Sequence, residues 1–167
     1  KTPEVFIELQ NQFKSGVVKK MYLTLVHGKV EPKEGKITAN IGRLPWNRMR
    51  FGVLSGGREA ETFYKVQSFR KYTESKDSEI FSYVEVYPET GRTHQIRVHF
   101  QHILHPVFAD ALYAGRKTGR DDRKICSRHF LHAAEISFIH PTRKTELKIE
   151  SPLPSDLKDV LSHFKEL

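Results

Sequence analysis

Short apolar patterns divide the chain. Residues 2–16, TPEVFIELQNQFKSG, place Phe6, Leu9 and Phe13 on one stripe at helical spacing. Thr2 suits an N-cap, Pro3 the first helical position and Gly16 the stop. VKKMYLTLVHG then alternates with period two: Met21, Leu23 and Leu25 face one way, Lys20, Tyr22 and Thr24 the other. That predicts a strand with its polar face free. Residues 28–57, rich in glycine and holding Pro32 and Pro45, predict loops around one short strand at 37–41. Two longer strands follow at 59–69 and 80–87. The charged link RKYTESKDSE suits an antiparallel pairing of the two.

TGRTHQIRVH, residues 90–99, opens a predicted helix with Thr93 as N-cap and Ile96, Phe100, Ile103 and Leu104 as its buried stripe. The chain leaves that helix at Pro106. GRKTGRDDRK reads as a basic, mobile loop. HFLHAAEISFI and TELKIES read as a hairpin through HPTRK. A last helix begins at Ser155 as N-cap, with Leu157, Leu161 and Phe164 on one side. Strands predominate and no regular strand–helix alternation appears. The predicted class is α+β: a largely antiparallel mixed sheet with a few flanking helices, 1–167 forming a single domain.

Charge narrows the function. The 167 residues carry 28 Lys and Arg against 20 Asp and Glu, a formal net charge of +8. That excess favours RNA or another anionic partner, although a merely soluble basic protein has the same arithmetic. Cys126 is the only cysteine, so no intrachain disulfide can form. The expectation is a reducing, cytoplasmic setting, with an organelle left open. No apolar run is long enough to span a bilayer, so no membrane partner is expected.

Candidate chemistry centres on residues 90–99. Arg97 sits about 100° round the helix from Ile96 and can lie half-buried at the rim, where it would hold a carboxylate or a phosphate. Spacing alone favours an ordinary solvated helix arginine. Thr93, His94 and Gln95 lie at a helix N-terminus, where free N–H groups favour anions or are simply capped. Tyr22 can stack on a base or serve as a half-buried cross-strand partner. His94, His99, His102 and His105 raise a metal reading, but no H-E-x-x-H and no cysteine pair supports it. Solvated or capping histidines fit better. A G-x-S-x-G elbow and a phosphate-cradling glycine loop are both missing.

The stretch ETGRTHQIRVHFQHILHPVFADALYAG resembles the signature of RNA pseudouridine synthases of the RluA type. The opening KTPEVFIELQNQFKSGVVKKMYLTLVHG, EAETFYKV and RHFLHAAEISFIHPTRKTELKIESPLPSDL resemble further segments of that family. Ala109 and Ala111, flanking Asp110, depart from its usual glycine and proline. The family's catalytic aspartate sits in a motif like H-R-L-D-x-x-T-S-G, which does not occur among these residues.

The resemblance implies a pseudouridine synthase acting on structured rRNA or tRNA without a cofactor. These residues would be the C-terminal portion of its catalytic domain, inactive without the missing N-terminal segment. By the same resemblance Arg97 would pair with the catalytic aspartate, and Tyr22 would contact the uracil. Ile96 would wall the pocket; Arg92, Thr93, His94 and Gln95 would shape the signature loop and the RNA path. Without the aspartate, Arg97 is expected to stand unpaired or to bind a buffer anion. Missing strands would expose a sheet edge and apolar surface, so self-association or poor solubility is expected. A non-catalytic RNA-binding module and a histidine-based metalloenzyme are the alternatives.

Overall fold

The computed structural model describes residues 2–74 and 79–167. Residues 75–78 of the charged link lie outside them. The elements in order are α1 (Pro3–Lys14), β1 (Lys19–His27), β2 (Glu34–Thr38), β3 (Ile41–Leu44), β4 (Asn47–Val53), β5 (Glu61–Tyr72), β6 (Ile80–Pro88), α2 (Gln95–His102), α3 (Arg116–Asp122), β7 (Leu131–Ile139), β8 (Glu146–Glu150), α4 (Ser155–Ser162) and β9 (Phe164–Glu166). The main sheet runs β2-β5-β6-β1-β7-β8, with β9 on β5, and β3 and β4 form a separate hairpin. Every strand pair is antiparallel. The α+β class with an antiparallel sheet is the one the patterns predict.

β1 lies in the middle of the sheet, and that overturns the free polar face. One side packs Val26 with Val84, Val86, Ile96 and Phe100; the other packs Leu25 with Phe108, Phe130, Leu157 and Phe164. Thr24, expected in solvent, is fully buried and donates its hydroxyl to the Phe130 carbonyl at 2.7 Å. A small β-branched side chain fits such a position once its one donor is satisfied.

Other expectations shift as well. In α1 the Phe6 and Phe13 rings are exposed and only Gln12 is buried, its amide bonded to both the N–H and the carbonyl of Ile139. The short strand expected at 37–41 lies earlier, at Glu34–Thr38, and Ile41 instead opens a hairpin that runs to Val53 where loops were expected. The predicted loop at 115–124 contains α3. Its Gly119 lets the helix approach the Asp110 carbonyl so closely that an added Cβ would lie 3.0 Å from it. α2 closes after His102, and Leu104, at φ +66°, turns out to 84% exposure instead of joining the stripe. Ser155 is the first residue of α4 and Pro154 its cap, while Phe164 is buried from β9. No helix among the described residues is long and apolar enough to cross a membrane.

Candidate active site

The signature stretch folds as a turn leading into α2, and a chain of hydrogen bonds anchors it. Thr93, the expected cap, is exposed, and the cap position falls on His94, in the left-handed region at φ 57°. Gln95 explains the difference. Its buried carbonyl accepts from the Arg92 N–H (2.9 Å) and the Thr90 hydroxyl (2.7 Å), and its amide donates to the Glu61 carbonyl and the Thr62 hydroxyl. These bonds stitch residues 90–95 to β5 and leave Thr93 outside. Thr62 in turn bonds His99 Nδ1, while His99 Nε2 donates to the Ala39 carbonyl at 3.0 Å. His99 is fully buried, not solvated as expected, and burial holds it neutral by lowering its pKa. Among the described residues no group of His, Cys, Asp and Glu is arranged to hold a metal ion.

Ile96 and Phe100 lock α2 onto the core, with Phe100 edge-on to Tyr64 at 5.9 Å. Arg97 is thereby turned to the rim, where its side chain is 12% exposed. It is not unpaired. Its Nε and Nη2 donate to the two oxygens of Asp110 at 2.6 and 2.8 Å, a planar two-point fork. Asp110 is fully buried, and its Oδ1 also accepts the N–H groups of Leu112 and Tyr113. Burial alone would raise the Asp110 pKa; the Arg97 bonds and charge, with those backbone donors, outweigh it and keep the carboxyl below its ordinary range. The sequence reading missed this partner because a turn containing Ala109, at φ 59°, brings Asp110 back across α2.

Arg97 stacks over the Tyr113 ring at 4.9 Å, and Tyr113 Oη lies 3.0 Å from His94 Nδ1. Beside them opens a hollow of about 510 Å³. Tyr22, Arg92, His94, Gln95, Ile96 and Arg97 all line it; Thr93 does not. Tyr22 reaches it from β1, just past a bulge against β7 that re-aims the strand. Burial raises the Tyr22 pKa, so its hydroxyl keeps its proton. Lys20, one strand period before Tyr22, and His129 and Leu131 also line it, together with Phe13 and Pro88. Lys20 was legible from the alternation; His129, beyond α3, carried no signal. Burial lowers the pKa of Lys20 and also that of His129, where the charge of Arg97 adds to the effect.

The comparisons with known proteins bear on this hollow. The family model described as RNA pseudouridylate synthase matches residues 1–102. The chain belongs to the RNA pseudouridine synthase family. An uncharacterized RNA pseudouridine synthase of Chloroflexus aurantiacus is 38% identical over 95% of this chain and 46% of its own length. The ribosomal large subunit pseudouridine synthase D of Nitrosomonas europaea is 38% identical over 100% of this chain and 47% of its own. The chain thus spans about half the length of these synthases. Among solved structures, human RNA pseudouridylate synthase domain containing 1 aligns with a TM-score of 0.77 at 29% identity, over 96% of this chain and 64% of that one. The domain containing 4 protein, at 20% identity and a TM-score of 0.73, shares the fold. The residues that the family model matches include Tyr22, Arg92 and His94 to Arg97 of the hollow.

Proposed function

We propose that this chain is the C-terminal part of a pseudouridine synthase catalytic domain that, when whole, isomerises uridines in structured rRNA or tRNA in the cytoplasm, and that residues 1–167 alone are inactive. The carrying observation is that Tyr22 and Arg97, far apart in sequence, line one hollow of about 510 Å³, a size that suits a nucleotide base. The reaction breaks the uridine N1–C1′ bond and forms C5–C1′. C5 gives up its proton and N1 gains one, so no cofactor is required. The target base leaves its stack at a cost of a few kcal/mol, offset by phosphate contacts with the basic surface.

In this reading a carboxylate from outside these residues acts on the sugar. Asp110 occupies Nε and Nη2 of Arg97, which leaves Nη1 to meet that acid. Because Asp110 already balances its charge, Arg97 orients the acid more than it attracts it. Tyr22, a protonated phenol, contacts the uracil near C5, and Ile96 forms its apolar wall. Arg92, His94 and Gln95 hold the turn, with Thr93 on the outer RNA path. One observation favours a second reading, a non-catalytic RNA-binding module: Arg97 is already satisfied by Asp110.

Tritium release from RNA carrying C5-labelled uridine separates the two. The reading frame that supplies an H-R-L-D-like segment should release tritium, residues 1–167 alone should not, and Tyr22→Phe should slow release by about a hundredfold or more. Absence of release from the longer protein would favour the binding module. Release by residues 1–167 alone would refute the external acid.

A further inference from the structure

The β3–β4 hairpin is not part of the hollow, yet it carries an unusual surface. Trp46 at its tip is 76% exposed and Met49 is 78% exposed. From Gly35 to Arg58 the sequence has Lys36, Arg43, Arg48, Arg50 and Arg58 and no acidic residue. Among the described residues, no carboxylate pairs with Arg43, Arg48 or Arg50. Arg43 stacks over Phe51 at 4.9 Å and donates to the Arg48 carbonyl, which stiffens the turn. Arg50 stacks over Tyr113 at 5.3 Å, and its buried Nε has no hydrogen-bond partner among the described residues.

The hairpin is also joined to the hollow. The Phe51 N–H donates to Tyr113 Oη at 3.0 Å, the atom that His94 also contacts, and the other face of this connection is the Arg97 stack on Tyr113. A strand of RNA leaving the hollow over Tyr113 therefore meets a cationic hairpin tipped by an open indole. A large exposed aromatic ring beside uncompensated guanidinium groups suits a nucleobase and its phosphates. An apolar protein partner would leave the arginines desolvated and unpaired.

We propose that this hairpin is a second RNA contact, where an unpaired base flanking the target stacks on Trp46 while Arg48 and Arg43 receive the adjacent phosphates. The proposal rests on the reading of RNA as substrate.

Trp46 is the only tryptophan in the chain, so its fluorescence reports this contact alone. The 167-residue chain is titrated with a single-stranded oligouridylate of about ten nucleotides, and binding is followed both by Trp46 emission and by polarisation of the end-labelled RNA. The expected result is quenching that saturates with the polarisation signal. Trp46→Ala should weaken binding about tenfold and Trp46→Phe by much less. Arg48→Ala should lower the slope of log affinity against log salt by about one. RNA binding that leaves Trp46 emission unchanged and is indifferent to Trp46→Ala would overturn the hairpin contact while leaving the RNA reading intact. No RNA binding by either signal would overturn both. An emission change that follows protein concentration without RNA would give the surface to a second copy of this chain and overturn the proposal.

Discussion

Two buried ion pairs set the local chemistry. Asp110, with no exposure, faces Arg97, which has little. Asp110→Asn keeps the shape and removes the charge, leaving a guanidinium nearly buried and uncompensated. It should lower stability by about 3–5 kcal/mol in urea unfolding at neutral pH. The folded Asp110 pKa lies below its unfolded value, so its contribution is present above the unfolded pKa and lost as pH falls through the folded one. The second pair acts in the opposite sense. His27 is bonded to Asp122 at 3.0 Å and Glu79 at 2.8 Å; desolvation opposes its charge, but the two carboxylates outweigh it and raise its pKa to about 9. Its contribution, on the order of 3 kcal/mol, is complete below the unfolded pKa of about 6.5 and disappears as pH rises through about 9. His27→Gln should therefore be less stable than the parent at pH 6, and the gap should close by about pH 10. A gap independent of pH would show that His27 matters through packing alone. Asp122 also accepts the Ala109 N–H at 3.0 Å, so this pair supports the turn that carries Asp110.

Among the elements, long patterns were legible and short ones were not. β5, β6, β7 and β8 follow from alternation because each strand pairs over several consecutive residues, with one register shift between Val66 and Ser68 in the β5–β6 pair and none in β7–β8. α1 was legible as a helix but not in its burial: of its apolar stripe, Leu9 is half-buried, while Phe6 and Phe13 stay 65% and 55% exposed. Thr24 failed in the other direction, since alternation cannot say that a strand is central and covered on both faces. Residues 41–53 hid a hairpin because Gly42, Pro45 and Gly52 break the pattern that would have shown it. In the site, Tyr22, Ile96 and the surroundings of Arg97 followed from local sequence and resemblance. Asp110 as the partner of Arg97 did not, because it depends on a turn with Ala109 in the left-handed region. A side chain there is strained by about 1–2 kcal/mol. Ala109 is nevertheless buried, and its methyl recovers about 0.8 kcal/mol. An alanine also loses less backbone entropy on folding than a glycine would. Ala109→Gly should accordingly change stability by less than about 1 kcal/mol in urea unfolding.

At the level of the whole molecule, exposed apolar side chains outside the β3–β4 hairpin include Phe6, Ile7 and Phe13 on α1 and, on the edge strand β8, Leu147 and Ile149 at 37% and 49% exposure. Such an edge invites association. The isolated 167-residue chain should self-associate in sedimentation at tens of micromolar (about that order). Phe6→Ser with Ile7→Ser should reduce the association while shifting the unfolding midpoint little, within about 0.5 kcal/mol. A monodisperse parent chain would contradict this.

The hollow ties these levels together: α2 is fixed by Ile96 and Phe100, Asp110 returns to pair with Arg97, and Arg97 lines the hollow that Tyr22 also lines. The decisive measurement is tritium release from C5-labelled uridine in RNA by the longer protein, parent against Arg97→Ala, with unfolding curves confirming that both are folded. If Arg97 orients the acid, release falls by about a hundredfold or more while RNA affinity changes little. Turnover that survives the substitution at the parent rate would contradict the assignment of Arg97 to the reacting site.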